Sequence, residues 1–441
     1  MIDHAFSQAS LALLVWLALF PQAASAEPVS REEAYAVLSP STVTREDSIE
    51  QEEGLTGRVM AGYQGWFRAK GDETGMGFRH YTREGKFEPG YCSIDLWPDL
   101  SEFSDEERFP TPFSHADGST AEVFSSLHPK TIDRHFQWML EYGIDGVFVQ
   151  RFAVHGAKAK RDYQSLYWEN EKLKRCREAA NTHGRAWALM YDLSGIASDD
   201  FTRLAEDWKN LRRRMELGTD PHDRSYLHLN GKPLIAIWGV GFADDREYDL
   251  ERCEWLIRLL KNNPEWGGFS IMLGVPYHWR EGRGDSIDQE QLHKVLKLAD
   301  VISPWSVGRY RSVEKDRGRI LQHQLADLEW CRAKQLGYLP VLFPGFSWAN
   351  LKGDASSAIP RRGGQFFWNQ FVAAAAAGNQ SAYIAMFDEI DEATAIFKCS
   401  NDPPVGASKF QTYEGLPSDT YLRLSGEGGR LLRGELPIDL E

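Results

Sequence analysis

Apolar runs and amphipathic segments alternate along most of the chain. Eight short apolar runs have the composition of buried β-strands, and segments with apolar positions every three to four residues lie between them. The predicted strands span 58–67, 143–152, 185–193, 232–242, 269–279, 299–310, 337–348 and 381–390. The predicted helices span 131–142, 165–184, 201–215, 251–263, 289–300, 319–337 and 366–378.

Eight near-continuous apolar strands that alternate with helices predict a closed (β/α)₈ TIM barrel with a long loop after strand 1, over about residues 68–127. An open, doubly wound sheet is the alternative. Such a sheet usually has a glycine-rich phosphate loop after its first strand. Residues 62–67 read GYQGWF at that point and lack the G-x-G-x-x-G pattern, which favours the barrel.

The two ends of the chain differ from this regular middle. An apolar run at 11–20 is followed by Ala-Ser-Ala before Glu27, which predicts a signal peptide over 1–26 and a secreted or periplasmic protein. The run has no Lys or Arg before it, so an uncleaved anchor or a misassigned start stays open. Residues 27–57 form a polar lead-in segment with a short helix at 30–38, and 58–441 form one catalytic domain. A short helix is also predicted at 418–426.

Composition excludes several classes of partner. The formal net charge is −14 with no basic block, which argues against nucleic acid. Besides the N-terminal run, no segment is apolar and long enough for membrane insertion. The five cysteines are scattered without metal-ligand spacing, so we predict buried free thiols, with at most two disulfides as the alternative. No cofactor and no metal are predicted.

The strand ends carry aromatic, amide and carboxylate side chains, and in a barrel the chemistry lies at these ends. A phosphate site would need glycine-rich turns and Lys, and a zinc site would need clustered His. We therefore predict a sugar cleft, and an oligo- or polysaccharide as the substrate. The predicted binding residues are Tyr63, Gln64, Trp66, Gln150, Arg151, Tyr191, Asp192, Trp238, Tyr277, His278, Trp279, Trp305, Trp348 and Asp388.

Four acidic residues directly follow the last predicted strand, in the sequence DEIDE at 388–392, which we call the acidic segment. If this segment is helical, Glu389 and Glu392 are about 5–6 Å apart on one side. Two carboxyls that close raise the pKa of one of them, as glycoside hydrolysis requires. The alternatives are acids that suit a helix dipole, and a Ca²⁺ site that lacks EF-hand spacing.

The same stretches resemble a known group of proteins. GYQGWF at 62–67, HFQWMLEYGIDGVFVQRF at 135–152 and AMFDEIDEATAIFK at 385–398 are similar to secreted bacterial proteins grouped with glycoside hydrolase families 71 and 99. Some of these proteins are labelled xylosidase/arabinosidase. The resemblance covers about residues 55–430. Family 99 comprises (β/α)₈ endo-α-mannosidases and endo-α-mannanases, whose strand-eight motif reads F-N-E-W-H-E-G-T.

The resemblance implies roles for two carboxyls. Glu392 would be the general acid/base, and Glu389 would take the proton from the sugar 2-hydroxyl, giving a 1,2-anhydro intermediate and net retention. Asp388, Ile390, Asp391 and Ala393 depart from the family motif, so mannoside specificity is not carried over. Family 71 inverts, which leaves the stereochemistry open.

The expected function is thus a secreted glycoside hydrolase that cleaves an α-linked glycan and probably retains configuration at the anomeric carbon. A non-catalytic carbohydrate-binding barrel and a metal-dependent hydrolase or lyase that uses the same acids are the alternatives. The sequence does not indicate the monosaccharide, the linkage, exo or endo action, or the oligomeric state.

Overall fold

A computed structural model describes residues 28–44, 54–158 and 163–438. The predicted signal peptide at 1–26 lies outside the described residues. The strands are β1 (Val59–Tyr63), β2 (Phe109–Ser114), β3 (Thr120–Val123), β4 (Gly146–Phe152), β5 (Ala186–Asp192), β6 (His228–Leu229), β7 (Lys232–Trp238), β8 (Ser270–Pro276), β9 (Val301–Trp305), β10 (Gly337–Tyr338), β11 (Val341–Leu342), β12 (Phe346–Trp348), β13 (Asp354–Ile359) and β14 (Ala382–Ile384).

The helices lie mostly between the barrel strands. They are α1 (Arg31–Ala36), α2 (Pro129–Glu141), α3 (Ala153–Ala157), α4 (Gln164–His183), α5 (Phe201–Arg214), α6 (Leu250–Asn262), α7 (Gln289–Leu296), α8 (Val313–Ala333), α9 (Gln365–Ala376) and α10 (Thr420–Leu432). All seven helices predicted between the barrel strands are present, within a few residues of their predicted ends. Among the described residues, no helix is long and apolar enough to cross a membrane.

The parallel strands form the predicted barrel. Their order in the sheet is β10-β9-β8-β7-β5-β4-β1-β14-β11, and all pairs between these neighbours are parallel. The ring closes through residues 337–342. There β10 pairs with β9 and β11 pairs with β14, with Pro340 between the two short strands. The (β/α)₈ fold is therefore confirmed, with its seventh strand interrupted at a residue that has no N–H to donate.

Alternation along each strand divides the buried side chains into two layers. Phe148, Met190 and Ala236 belong to one buried cluster, which we assign to the barrel interior. Their chain neighbours Val149, Leu189 and Ile237 belong to a second cluster, which also contains the buried faces of the helices. Strands covered on both faces are apolar throughout, which is why the sequence shows continuous runs rather than alternation.

The helix near the C-terminus is longer than predicted. Helix α10 spans 420–432 rather than 418–426, and it continues through Gly426, Gly428 and Gly429. A Cβ atom on Gly426 would lie 2.0 Å from the Tyr142 carbonyl oxygen, and one on Gly428 would lie 2.5 Å from the Phe371 ring. These glycines permit close packing on α9 and on the end of α2, so tertiary contacts outweigh their poor helix propensity.

The lead-in segment is part of the folded domain. Ser30 caps α1 through a capping box with Glu33, as the predicted helix at 30–38 requires. Ala34 and Tyr35 are buried in the strand–helix layer, and the Asn170 side chain of α4 donates to the Ala34 carbonyl at 2.7 Å. All five cysteines are free and buried, which confirms the prediction of free thiols.

The long loop after β1 has structure of its own. It contains the antiparallel hairpin of β2 and β3, and a second hairpin, of β12 and β13, follows β11. Asp95 joins these regions, because its carboxylate accepts from the Ala349 and Asn350 amides at 2.9 and 2.8 Å. The Asp95 amide donates to the Ile390 carbonyl at 2.9 Å, so the loop is bonded to the acidic segment as well.

Candidate active site

The acidic segment follows β14 at the carboxyl-terminal end of the barrel. It is not helical: residues 388–397 form turns and bends. This corrects the helical geometry assumed for the spacing of Glu389 and Glu392. The Asp388 side chain accepts two backbone N–H groups, from Gln64 at 2.8 Å and Gly65 at 2.7 Å, and the chain turns around this contact.

Glu389 is buried and held on both oxygens. Gln64 Nε2 donates to Oε1 at 2.9 Å, and the Thr394 hydroxyl donates to Oε2 at 2.8 Å. Burial raises the pKa of Glu389 well above its usual value, and the nearby charges of Glu392 and Asp391 raise it further. The two hydrogen bonds act in the opposite direction because they favour the ionised carboxylate.

Glu392 is the more accessible of the two carboxyls, since it is only half-buried. Burial raises the pKa of Glu392, and the Trp348 indole and the Lys352 ammonium partly offset this effect. The Lys352 ammonium lies 3.3 Å from the centre of the Trp348 ring, so a cation and an aromatic face lie together beside this carboxyl. The Glu392 carbonyl accepts from the Ser347 amide at 2.8 Å, which joins the acidic segment to β12.

A buried lysine supports the Glu389 partner from behind. The Lys172 ammonium of α4 donates to the Gln64 carbonyl at 2.9 Å, to the Gln150 carbonyl at 3.0 Å and to Glu169 at 2.8 Å. All three ammonium protons therefore have acceptors. These bonds hold the ends of β1 and β4 together and fix the position of Gln64 next to Glu389.

Several predicted binding residues lie at the mouth of the barrel with these carboxyls. Gln150, Asp192, Trp238, Trp305 and Trp348 share the interior side of their strands or pack against the interior cluster. Each of the three tryptophans is half-buried, and the Trp238 and Trp305 rings meet edge to face at 5.5 Å. One oxygen of Gln150 is buried without a partner within the described residues. The role of these five residues in binding a substrate stays a prediction.

Four predicted binding residues face away from the mouth, which corrects their placement. Tyr63, Arg151 and Tyr191 lie on the strand–helix side, one position out of phase with the interior. Tyr63 contacts His135 of α2 at 3.0 Å, and Arg151 and Tyr191 both donate to Asp207 of α5. Trp279 is fully buried against His293 and Trp330 and has no face to offer a sugar.

Four more predicted residues lie near the mouth but have partners that limit their role. Trp66 is stacked between His80 at 4.1 Å and Phe152 at 5.3 Å, so both of its faces are covered. Tyr277 stacks on His323 at 4.0 Å. The remaining two are His278, whose Nδ1 lies 3.8 Å from Glu281, and Asp388, whose two oxygens are used by the β1 loop.

The sequence reasoning missed several residues that contact the acidic segment. They are Asp95, His80, Lys172, Ser347 and Lys352. His80 and Lys352 lie in loops without periodicity, and no local signal marks them. Lys172 had a signal, because it lies on the buried side of α4 with Leu173 and Cys176, where a charged residue is unusual.

Within residues 28–44, 54–158 and 163–438, no group of three or more His, Cys, Asp or Glu side chains is arranged to hold a metal ion. The acidic segment is included in that range. Its Asp388 is committed to backbone amides and its Glu389 to Gln64 and Thr394, which leaves too few free oxygens for a Ca²⁺ site.

Comparisons with known proteins agree with this geometry at the level of fold. No family model matches the chain, and no curated protein sequence matches it. Among solved structures, the chain is similar to the GH99 endo-α-mannosidase from Bacteroides thetaiotaomicron, with a TM-score of 0.61 and 15% identity over 86% of this chain and 99% of that one. A complex of the GH99 endo-α-mannosidase with Bis-Tris propane gives a TM-score of 0.60 and 14% identity over 87% and 99% of the two chains. The likeness shows that the chain has the fold of these TIM-barrel enzymes.

Proposed function

We propose that the protein is a secreted glycoside hydrolase that cleaves an α-linked glycan, with Glu392 as the general acid/base and Glu389 as its partner. The observation that carries this proposal is the Glu389–Glu392 pair, which follows β14 at the mouth of a barrel with three half-buried tryptophans. The fold shared with the GH99 endo-α-mannosidase supports it. Export rests on the signal peptide predicted for residues 1–26.

The environments of the two carboxyls suit different tasks. Glu392 is more accessible and has a raised pKa, so it holds a proton that it can give to the leaving oxygen. Glu389 receives hydrogen bonds from Gln64 and Thr394, which favour its ionised form and allow it to accept a proton. If Glu389 takes the proton of the sugar 2-hydroxyl, that oxygen attacks the anomeric carbon, and water then opens the 1,2-anhydro sugar with net retention.

The test is hydrolysis of a panel of α-mannans, α-glucans, arabinans and xylans by wild type, Glu392→Gln and Glu389→Gln, with released sugars measured. We expect each variant to lose about 10²–10⁴-fold in kcat, the usual contribution of general acid–base catalysis. Glu290→Gln, an exposed position on α7, is the matched control and should keep full activity.

Two further arms separate the alternatives. A glycosyl fluoride needs little protonation of its leaving group, so Glu392→Gln should recover much of its rate on this substrate while Glu389→Gln should not. Equal rates for wild type and Glu392→Gln on the glycan would reject the assignment. Loss of activity with EDTA would indicate the metal-dependent alternative, and sugar binding without hydrolysis by wild type would indicate a binding barrel.

A further inference from the structure

A cavity of about 440 Å³ lies beside the acidic segment, between the loop after β1, the end of β4 and the start of α4. We call it the Arg79 cavity. Its lining includes Trp66, Arg68, Arg79, His155 and Trp168. The volume is within the range of small-ligand sites. None of the steps proposed for Glu389 and Glu392 uses this cavity.

The cavity adjoins the proposed catalytic carboxyls. His80, which also lines it, has its Nδ1 4.0 Å from an Asp391 oxygen. Trp66 follows Gln64 by two residues, and Gln64 donates to Glu389. A ligand that extends from the mouth of the barrel past His80 therefore reaches this cavity.

The charge of the lining is positive, in a chain whose net charge is −14. Glu169 is the carboxylate among the lining residues, and its charge is balanced by Lys172 at 2.8 Å. Arg68 lies 3.8 Å from Glu169, and its Nη1 donates to the Gly65 and Phe67 carbonyls, which holds the guanidinium in place. Arg79 is exposed, and no carboxylate within the described residues pairs with it.

The lining also has more donors than acceptors. Trp66 Nε1 and His155 Nδ1 are buried atoms without a hydrogen-bond partner in the part of the chain that the structure describes. Two guanidinium groups add further donors, while Glu169 already accepts from Lys172. A neutral sugar presents hydroxyls that both donate and accept, whereas a carboxylate or sulfate only accepts. A donor-rich, positively charged site therefore favours the anionic group.

We propose that the Arg79 cavity binds an anionic sugar unit, one that carries a carboxylate or a sulfate, of the glycan that the strand-eight carboxyls cleave. Arg79 provides the planar fork that binds such a group through two parallel hydrogen bonds. Trp168 is half-buried at the edge of the cavity and offers an aromatic surface to the sugar ring. This inference rests on the proposed function and names its substrate class.

The test is binding of three defined glycosides to the Glu392→Gln chain: methyl α-D-glucuronide, methyl α-D-glucoside 6-sulfate and neutral methyl α-D-glucoside. Titration calorimetry or the tryptophan fluorescence of the cavity gives each Kd. We expect at least one anionic glycoside to bind about tenfold or more tightly than the neutral one, and 0.5 M salt to reduce the difference. The tighter of the two anions identifies the carboxylate or the sulfate as the source.

Variants locate the site. Arg79→Gln should abolish the preference for the anionic glycoside, and Arg79→Lys should keep part of it because the charge remains without the fork. Arg252→Gln, an exposed arginine on α6, is the matched control and should change nothing. Equal affinity for all three glycosides, no binding, or a preference that survives Arg79→Gln would overturn the inference. Cleavage of neutral glycans with no anion preference would leave the proposed function intact, and anion preference without any cleavage would do the reverse.

Discussion

At the scale of single residues, the site depends on how a buried carboxyl is kept ready to accept a proton. Burial and two neighbouring acids raise the pKa of Glu389, which opposes its use as a base. The Gln64 amide opposes this effect by donating to Oε1 at 2.9 Å. Gln64 is itself held by the Lys172 ammonium through its carbonyl. A chain of hydrogen bonds from α4 thus sets the proton affinity of a carboxyl after β14.

Gln64→Leu should move the acidic limb of the pH profile of kcat/KM to higher pH. The Gln64 bond favours the ionised form of Glu389, so its loss raises the pKa of Glu389 further, and a base with a raised pKa becomes active only at higher pH. A hydrogen bond to a charged group contributes about 1.5–3 kcal/mol, which corresponds to a shift of about one to two pH units. The measurement is kcat/KM between pH 4 and 9.

The control for this prediction is Gln137→Leu. Gln137 donates to Glu141 at 2.7 Å, but on the exposed face of α2. It removes the same type of bond away from the site, and its profile should match that of wild type. An unmoved profile for Gln64→Leu would show that Glu389 does not act as the base.

At the scale of elements, one carboxylate fastens the N-terminal helix to the barrel. Asp207 of α5 accepts from Arg151 at 2.8 and 2.6 Å, from the Tyr191 hydroxyl at 2.7 Å and from the Tyr35 hydroxyl at 2.6 Å. Despite complete burial, these partners keep the pKa of Asp207 below its usual value. Helix α1 has only six residues and would not form alone, so this contact supplies much of its order.

Tyr35→Phe should lower the free energy of unfolding by about 1–3 kcal/mol, because the buried Asp207 carboxylate loses one of its four donors. Urea denaturation followed by circular dichroism measures the change. Tyr91→Phe is the control: the Tyr91 ring contacts Lys86, and its hydroxyl makes no hydrogen bond within the described residues. If the two variants were equally stable, the docking of α1 would not depend on Asp207.

At the scale of the whole molecule, the long loop after β1 reaches across the mouth of the barrel. Asp95 accepts from the Ala349 and Asn350 amides, next to Trp348, and its own amide donates to Ile390 in the acidic segment. The loop, β12 and the acidic segment therefore form one connected wall of the mouth. Residues from distant parts of the chain meet there, and their relative positions depend on the closed barrel beneath them.

Asp95→Ala should reduce kcat/KM about tenfold and speed trypsin cleavage within residues 68–127. The substitution removes two hydrogen bonds that hold the segment next to Trp348, and the loop gains freedom as a result. Steady-state kinetics and limited proteolysis provide the two readouts. Asp117→Ala, in the exposed turn between β2 and β3, is the matched control, because Asp117 bonds only to Ser119 among the described residues. Unchanged proteolysis of Asp95→Ala would contradict the prediction.

The confirmed predictions depend on local pattern, and the corrected ones do not. The eight strands and the seven helices between them were predicted because each element repeats its apolar positions along its own length. The pattern could not show which side of a strand a residue faces, because both sides of a barrel strand are buried and the run is continuously apolar. Arg151 and Tyr191 were therefore assigned to the mouth, one position out of phase with Gln150 and Asp192, which do share the interior side.

The sequence alone determined the barrel and the presence of a concentrated group of acids after the last strand, since both are properties of consecutive residues. Only the tertiary structure decided that the acidic segment is a turn, because Asp388 binds the amides of Gln64 and Gly65, more than three hundred positions earlier in the chain. The same holds for the contacts of Lys172, Asp95 and Lys352 around Glu389 and Glu392. Side chains that meet through a closed barrel leave no periodic mark on the segments that carry them, so their contacts depend on the fold as a whole.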